Sequence, residues 1–299
     1  MTKIAFIFPG QGGQFVGQGQ QWAQGDPDVA AIFETASRVS QRPISKLCWE
    51  GPMEELSKTE NLQLAVLAVG LAAAKLFKSR GDIPSLTAGH SLGEYGALAL
   101  AGVISEEKAF ELVTRRSELM AQAAEGSGGS MSAILGLSSE VVESVCELAR
   151  NEGQVVAANL NSPQQTVISG EARAVAAAVR FAGMKGGKAV PLPVTGAFHS
   201  PLMAKPAEIF AAIIDETEFK KPLFPVVQNA TGDITDDPER IKESLKKQMT
   251  SPVLWARTVE TMAGDGVDTF LECWPKPYLG PMIRKTLGAQ NKAKIAAAV

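Results

Sequence analysis

The sequence predicts an α/β protein of two domains, in which a small domain is inserted into a larger one made from both ends of the chain. Three observations indicate this arrangement. The 299 residues suffice for about two domains, buried-strand patterns alternate with helical ones, and a glycine- and serine-rich segment at 126–130 separates regions of different character. Hydrophobic residues make up 45% and charged residues 20%, which is typical of a globular protein with a core.

The larger domain is predicted to begin with a strand and to continue with helices. Ile4–Phe8 is a continuous apolar run that stops at Pro9-Gly10, as in a strand buried on both faces. Ser105, followed by two acidic residues, has the pattern of a helix N-terminus. The elements predicted after the first strand are helices between 28 and 80 with breaks near 41–43 and 51–52, a strand at 86–88, and helices at 92–101 and 105–125.

The inserted domain is predicted to have the order β-α-β-β-α-β of the ferredoxin-like fold. Its elements are expected at 131–137, 138–151 (with Ser138 as the helix cap), 155–160, 166–169, 171–184 and 188–192. The larger domain is expected to end in strands at 268–273 and 293–298. We therefore assign residues 128–193 to the ferredoxin-like domain and residues 1–127 and 194–299 to the larger one. A substrate pocket is expected in the cleft between them.

The composition excludes several classes of function. Basic residues number 29 and acidic residues 32, so the net charge of −3 creates no general field that attracts nucleic acid or a membrane. The 3 cysteines are odd in number and far apart, which favours buried thiols in a reducing cytosol over disulfides. The longest apolar stretch, 62–77, is shorter than the about 20 residues of a membrane span. We therefore expect a cytoplasmic protein with a buried helix there.

The chain contains only 2 histidines, His90 and His199. Any chemistry that needs an imidazole must use one of them. Such scarcity also excludes most metal sites, so no metal and no cofactor is expected.

A G-x-S-x-G motif, Gly89-His90-Ser91-Leu92-Gly93, lies between a predicted strand and a predicted helix. A serine hydroxyl is a weak nucleophile, and a sharp strand-to-helix turn exposes it to a base. The amide of Leu92 would then point from the helix N-terminus at a developing oxyanion. The alternative is a glycine-flanked turn with an ordinary serine.

His199 is predicted to be the base for Ser91. His90 adjoins the nucleophile, and neighbours in such a turn usually point apart, so we expect His90 to support the turn. His199 precedes a helix that Pro201 would start, at the predicted domain junction. Ordinary α/β-hydrolases carry their histidine close to the C-terminus, whereas residues 200–299 contain none, which disfavours a simple esterase or lipase.

Two further segments carry weaker signals. Gly10-Gln11-Gly12-Gly13-Gln14 is neither a Walker motif nor a full dinucleotide fingerprint, but its backbone could supply a second oxyanion donor. Arg115 and Arg116 form either a solvated helical face or a clamp for a carboxylate, and spacing alone leaves both possibilities open.

Together these motifs resemble the malonyl-CoA:acyl carrier protein transacylases and the acyltransferase domains of polyketide synthases. The resemblance covers essentially the whole chain and rests on five ordered segments, which are Phe8-Pro9-Gly10-Gln11-Gly12, Gly89-His90-Ser91-Leu92-Gly93-Glu94, Arg116, Gly196-Ala197-Phe198-His199-Ser200 and Gln248. It implies an α/β-hydrolase-like domain with an inserted ferredoxin-like one. It also implies an enzyme that moves malonyl from malonyl-CoA to the phosphopantetheine thiol of acyl carrier protein.

The resemblance implies a role for each matching residue. Ser91 would attack the thioester and carry the malonyl group, and His199 would accept and return the proton. Backbone amides of Gln11 and Leu92 would form the oxyanion hole. Arg116 would pair with the malonyl carboxylate, which would favour malonyl over acetyl.

Three more positions match the family pattern. The main chain of Gln248 would orient His199 in place of a triad acid. Gln63 corresponds to a cleft position. The ring of Phe198 would leave little room for an α-methyl branch on the acyl group.

The chain departs from the family pattern at two positions. Gly13 stands where the family usually has serine, and Trp274 stands where it usually has glycine before Pro275. A tryptophan cannot adopt a positive φ cheaply, so we expect the end of this strand or its packing to differ.

The implied partner is acyl carrier protein, which is acidic. We therefore expect a basic patch near the cleft, with Lys185, Lys188, Arg284 and Lys285 as candidates. A monomer that binds neither nucleic acid nor a membrane is expected. Two rival hypotheses are a serine thioesterase or esterase that uses water as acceptor, and a non-catalytic scaffold that binds carrier protein. The pathway, fatty-acid or polyketide synthesis, stays open.

Overall fold

The computed structural model describes residues 2–194 and 196–298, which form a mixed α/β fold. In this part of the chain the strands are β1 Ile4–Phe8, β2 Leu86–Gly89, β3 Gly129–Leu135, β4 Val155–Ser162, β5 Gln165–Glu171, β6 Lys188–Pro191, β7 Val226–Val227, β8 Ile234–Thr235, β9 Thr269–Glu272 and β10 Lys294–Ala297. The helices are α1 Gln20–Gly25, α2 Pro27–Ser40, α3 Ile44–Glu50, α4 Met53–Leu56, α5 Thr59–Ser79, α6 Gly93–Leu100, α7 Glu106–Ala124, α8 Ser139–Ala149, α9 Ala172–Met184, α10 Ala204–Asp215, α11 Pro238–Lys247, α12 Trp255–Gly264 and α13 Gly280–Leu287.

The larger sheet has six strands in the order β10-β9-β1-β2-β7-β8. Its neighbours pair in parallel except for β7 and β8. Four of the five residues of β1 are buried, as its uninterrupted apolar run predicts. The strands predicted at 86–88, 268–273 and 293–298 are confirmed as β2, β9 and β10. The strands β7 and β8 have two residues each, which is too short to leave a pattern in the sequence.

The smaller sheet contains the segment 129–191 alone, in the predicted element order β3-α8-β4-β5-α9-β6. Its strands are antiparallel and lie in the order β4-β5-β3-β6. One face packs against α8 and α9 in a core of its own, around Val142 and Val175. The other face contributes Met131 and Val167 to the core that contains Phe8 of the larger sheet. The two sheets therefore share part of one core.

The predicted helix boundaries are confirmed in most places. The break between α2 and α3 falls at Gln41, whose φ of 55° is left-handed. Ser105 caps α7, since its Oγ accepts a hydrogen bond from the amide of Lys108 at 3.1 Å. Ser138 occupies the N-cap position of α8, as predicted, but its side chain makes no capping hydrogen bond.

One helix of the described chain, α5, is long and apolar enough by composition to cross a membrane. Of its most apolar 18-residue window, 78% is buried inside the fold. This helix is the predicted buried helix, because it packs in the core beside β1 rather than presenting an apolar surface.

The parallel register of β1 and β2 brings two loops together at the carboxyl edge of the larger sheet. Phe8 pairs with Gly89, and the amide of His90 donates to the carbonyl of Phe8 at 2.8 Å. The chain therefore leaves both strands side by side, with Gln11 after one and Ser91 after the other. The edge of a parallel sheet where strands end is a usual place for a ligand site.

Candidate active site

A cleft of about 870 Å³ lies at this edge, between the two sheets. Gln11 and Ser91 line it from the loops after β1 and β2. Met131 and Asn159 line it from the smaller sheet, and His199 lies on the segment that returns from that sheet. The predicted nucleophile and the predicted base thus face the same cavity.

Ser91 occupies a sharp turn between β2 and α6. Its φ of 51° is left-handed, which is uncommon for a residue with a side chain. A Cβ on Gly89 would lie 1.9 Å from the carbonyl carbon of Gly93, and a Cβ on Gly93 would lie 2.2 Å from the carbonyl oxygen of Phe8. Both glycines of the motif are therefore required for the close approach of strand and helix that exposes the serine.

Ser91 and His199 are hydrogen-bonded to one another. The distance from Ser91 Oγ to His199 Nε2 is 2.7 Å. On the other side of the ring, His199 Nδ1 lies 3.0 Å from the carbonyl oxygen of Gln248 and 3.2 Å from that of Ser251. Because both partners of Nδ1 are acceptors, Nδ1 carries the ring proton, and Nε2 accepts from the serine hydroxyl. No carboxylate is needed to select this tautomer.

His199 is held in its neutral form. Burial lowers its pKa to about 3, and the positive charge of Arg116 acts in the same direction. His199 also has a left-handed φ of 55°. A base that is neutral over the physiological range can accept a proton from Ser91 without first losing one.

Arg116 lies fully buried beside the nucleophile. Its Nη1 donates to Gln63 Oε1 at 2.6 Å, and its Nη2 donates to Gln248 Oε1 at 3.0 Å and to Ser91 Oγ at 3.3 Å. The guanidinium also lies 5.6 Å from the centre of the Tyr95 ring. All these partners are neutral, and Nε has no partner among the described residues. The guanidinium therefore keeps N–H groups available for an anion.

The two adjacent arginines of α7 have different surroundings. Arg115 is exposed, lines the outer part of the cleft and pairs with Glu118, with 2.6 Å between Nη1 and Oε2. Only Arg116 points at the nucleophile. The spacing left open whether these arginines are solvated or buried. Arg115 is solvated, and Arg116 is a buried cation.

The side chain of Gln248 connects several parts of the site. Its Nε2 donates to the carbonyl of Ser91 at 2.9 Å and to Glu94 Oε2 at 2.6 Å, while its Oε1 accepts from Arg116. Sequence reasoning assigned only the main chain of Gln248. The side-chain contacts join residues up to 157 positions apart, which no local pattern could have indicated.

Two residues of the site were not predicted as functional. Asn229 accepts from the amide of Ser91 through Oδ1 at 2.6 Å and donates through Nδ2 to the carbonyl of Gly89. Glu94 accepts from the amide of Asn229 through Oε1 at 3.2 Å. Burial raises the pKa of Glu94 to about 7 against the hydrogen bonds from Gln248 and Asn229. Glu94 belongs to the motif segment that carries the family resemblance, but that pattern assigned no role to it, whereas Asn229 lies in an irregular segment that carries no motif.

The amides of Gln11 and Leu92, the predicted oxyanion donors, have no hydrogen-bond acceptor in the described part of the chain. Leu92 is the N-cap of α6, so its N–H belongs to the unpaired first turn of that helix. Tyr278 donates through its hydroxyl to the carbonyl of Gln11 at 2.9 Å and so holds the loop after β1 in place. Both amides are therefore free to receive an oxyanion.

The two departures from the family pattern lie in contact. Trp274 has no left-handed φ, and its buried indole donates through Nε1 to the carbonyl of Gly13 at 3.3 Å. A Cβ on Gly13 would lie 3.1 Å from that Nε1 and equally close to the ring of Tyr278. The indole thus occupies space beside the loop that a serine at 13 would need.

The other predicted site residues are distributed around this centre. Phe198 is buried and lines the cleft next to His199. Gln63 is fully buried behind Arg116, which it binds, so it supports the arginine rather than forming the cleft surface. In the part of the chain that the structure describes, His90 makes no hydrogen bond with the serine hydroxyl, and its Nε2 donates to Asn161 Oδ1 at 2.8 Å. Within residues 2–194 and 196–298, no three histidine, cysteine or acidic side chains come together as a metal site would require.

Comparisons with known proteins agree with this geometry. The family model of the acyl transferase domain matches residues 5–299. The malonyl CoA-acyl carrier protein transacylase of Bacillus subtilis is 40% identical over 287 residues, which cover 95% of this chain and 90% of that protein. The crystal structure of an acyl carrier protein S-malonyltransferase from Vibrio cholerae superposes with a TM-score of 0.93 at 37% identity, covering 100% of this chain and 97% of that one.

A further solved structure contains a type II PKS acyl-carrier protein in complex with its malonyl-transacylase. It superposes with a TM-score of 0.93 at 37% identity and covers 99% of this chain and 95% of that one. A match along nearly the whole chain, cleft included, places the protein among the acyl transferases. More narrowly, it belongs to the malonyl CoA-acyl carrier protein transacylase family.

The histidines provide a first prediction. Burial lowers the pKa of both, and for His199 to about 3, so His199 should take up no proton between pH 8 and pH 5. Nuclear magnetic resonance of the ring nitrogens in the native protein should show a neutral His199 imidazole over this range. The unfolded chain, in contrast, should titrate near 6.5. The folded state therefore loses stability as pH falls below about 6.5, because only the unfolded chain then binds the protons. Protonation of native His199 near pH 6.5 would contradict this prediction.

The contact between Gly13 and Trp274 provides a second prediction. Gly13→Ser should lower the free energy of unfolding by about 1–3 kcal/mol, because the new side chain overpacks against the indole. In a Trp274→Ala background the same change should cost much less, which chemical denaturation of the four proteins of the cycle would measure. Gly183→Ser on α9 is the matched control, since a side chain there meets no atom within 4 Å. An equal cost in both backgrounds would show that the two sites do not interact.

Proposed function

We propose that this protein transfers a malonyl group from malonyl-CoA to the phosphopantetheine thiol of acyl carrier protein through a malonyl ester on Ser91. The observation that carries the proposal is the buried guanidinium of Arg116, which has only neutral partners and lies 3.3 Å from the nucleophile. A buried cation without a paired anion is costly, and a substrate carboxylate would relieve that cost. Malonyl has such a carboxylate, and simple acyl groups do not.

In the first half of the reaction, Ser91 Oγ attacks the thioester carbonyl carbon while His199 Nε2 takes the serine proton. The negative charge that develops on the carbonyl oxygen is received by the amides of Gln11 and Leu92. The carbon–sulfur bond then breaks, the CoA thiolate takes the proton from His199, and CoA leaves. The malonyl group remains on Ser91 as an ester, with its carboxylate on Arg116.

In the second half, the thiol of the carrier protein takes the place of CoA. His199 Nε2 accepts the thiol proton, and the sulfur attacks the ester carbonyl carbon. The bond between Ser91 Oγ and the malonyl group breaks, and the proton on His199 returns to the serine. The carbonyls of Gln248 and Ser251 support the imidazolium in both halves, in place of a triad carboxylate.

We infer that the two sheets mark two domains. The parallel sheet with its serine turn supports an α/β-hydrolase-like domain, residues 1–127 and 194–299, and the antiparallel β4-β5-β3-β6 order supports an inserted ferredoxin-like domain, residues 128–193. The protein is proposed to act as a cytoplasmic monomer without metal or cofactor, its substrates being malonyl-CoA and phosphopantetheinylated carrier protein.

Of the four basic candidates for carrier protein binding, Lys185 and Lys188 lie on the segment that leads to the cleft. Lys185 and Lys188 are exposed and precede Leu192 and Pro193, which line the cleft. Arg284, in contrast, lines a separate small cavity near the C-terminal strand. We therefore propose that the acidic carrier protein binds along β6, from Lys185 and Lys188 at its start to Leu192 and Pro193 at the cleft.

The covalent intermediate is tested with Ser91→Ala. Intact-mass analysis after brief exposure to malonyl-CoA should show wild-type protein heavier by one malonyl group, and no such species with the variant, because the attacking oxygen is gone. Adding phosphopantetheinylated carrier protein should remove the label from the enzyme and place it on the carrier. Release of free malonate at the rate of CoA release, with no effect of carrier protein, would instead support the rival thioesterase. Absence of any acyl-enzyme would favour the non-catalytic scaffold.

The selection of malonyl is tested with Arg116→Ala. Loss of a charge-assisted pair with the carboxylate should lower malonyl transfer by about 10²-fold while slowing acetyl transfer far less. The measurement is acyl-enzyme formation from malonyl-CoA and from acetyl-CoA under the same conditions. Arg38→Ala is the matched control, because Arg38 lies exposed on α2 and pairs only with Glu107. Equal losses for both acyl groups would exclude Arg116 from carboxylate binding.

A further inference from the structure

Glu94 is a buried carboxylate that the reaction steps do not use. It lies in the first turn of α6, three residues after the nucleophile, with 2% of its surface exposed. Among the described residues, the only other acidic side chain this well buried is Glu272, which binds the amides of Tyr278, Leu279 and Gly280 and so ends the loop after β9. Glu94 does not bind a run of successive amides in this way. It binds Asn229 and Gln248, which in turn contact Ser91.

Both oxygens of Glu94 face donors. Oε1 accepts from the amide of Asn229 at 3.2 Å, and Oε2 accepts from Gln248 Nε2 at 2.6 Å. Asn229 in turn binds the backbone on both sides of the serine turn, at the amide of Ser91 and the carbonyl of Gly89. One carboxylate therefore holds two residues that each hold the nucleophile.

The contact with Glu94 also determines which way the amide of Gln248 faces. An amide group has a donor end and an acceptor end, and the carboxylate can bind only the donor end. The acceptor end, Oε1, must then face Arg116, as observed at 3.0 Å. The main-chain carbonyl of the same Gln248 receives Nδ1 of His199 at 3.0 Å. The amide of Gln248 thus lies between an accepting oxygen of Glu94 and the buried cation of Arg116, and its dipole suits both.

We propose that Glu94 is a positioning residue. By orienting Gln248 and Asn229, it fixes the positions of Ser91, His199 and Arg116 relative to one another. The proposal deepens the function proposed above, since it concerns the same site. It follows that a change at position 94 acts on the reactivity of Ser91 even though Glu94 touches no reacting atom.

Glu94→Gln is the most direct test. The variant keeps the shape of the side chain but places an NH₂ group opposite one of two donors, so that Gln248 or Asn229 must turn. The readout is the rate at which a fluorophosphonate, which bears no malonyl group and no carboxylate, labels Ser91. We expect a loss of about 10²-fold, the scale of a misplaced catalytic group. Glu107→Gln, at an exposed carboxylate on α7, should label at the wild-type rate.

A second variant separates positioning from a general effect on folding. Gln248→Met retains the main-chain carbonyl that receives His199 but removes the amide that contacts Glu94. If Glu94 acts on Ser91 through Gln248, Gln248→Met should slow labelling of Ser91 by a similar factor. The double variant should then label no more than about twofold more slowly than either single variant. The ring nitrogen signals of His199 should shift in both variants, while those of His90 should not. Losses that multiply in the double variant, or normal labelling of well-folded Glu94→Gln, would overturn the proposal.

The experiment also separates this proposal from the proposed function. A wild-type protein that reacts with the fluorophosphonate but is not malonylated by malonyl-CoA would refute malonyl transfer and leave the result at Glu94 standing. Should Glu94→Gln not fold, Glu94→Asp takes its place, because the shorter carboxylate cannot reach both the amide of Asn229 and Gln248 Nε2. Labelling of folded Glu94→Asp at the wild-type rate would overturn the proposal.

Discussion

The site depends on one constraint, which is the burial of a positive charge next to a nucleophile. The guanidinium of Arg116 is completely buried, which is costly for a charge, and its Nε has no partner among the described residues. The side-chain oxygens of Gln63 and Gln248 bind it, and the ring of Tyr95 lies beside it. None of these partners cancels the charge as a direct ion pair would. The charge therefore has no direct ion-pair partner among the described residues, which is the observation on which the proposed binding of a substrate carboxylate rests.

The same charge explains why the base needs no carboxylate partner. A triad acid stabilises the imidazolium and selects the tautomer of the histidine. Here two carbonyl oxygens select the tautomer of His199, while burial and the nearby cation keep its pKa low. An acid at that place would have competed with the substrate for Arg116. Neutral acceptors at Gln248 and Ser251 avoid this competition, and the only nearby buried carboxylate, Glu94, reaches the cation through the amide of Gln248.

Much of the fold could be predicted because its elements have strong local patterns. The central strand β1 is an uninterrupted apolar run, and the inserted segment has alternating strands and amphipathic helices of ordinary length. The strands β7 and β8 could not be found, since two residues leave no periodicity. They nevertheless matter to the site, because β7 carries the chain to Asn229. The contact of Trp274 with Gly13 could not be predicted either, since 261 positions separate the two residues. Each of them is visible in the sequence only as a separate departure from the family pattern.

The sequence by itself determined which reactive side chains this protein contains. It contains one serine in a strand-to-helix motif, only 2 histidines, and a pair of arginines on the following helix. These facts indicated the nucleophile and the base, because scarcity left few other choices. The tertiary structure alone decided which arginine is buried, which carbonyls orient His199, and that Glu94 and Asn229 hold the nucleophile turn. The physical reason is that these contacts join residues between 49 and 154 positions apart, whose meeting depends on strand register and shared packing. No local periodicity records such a meeting.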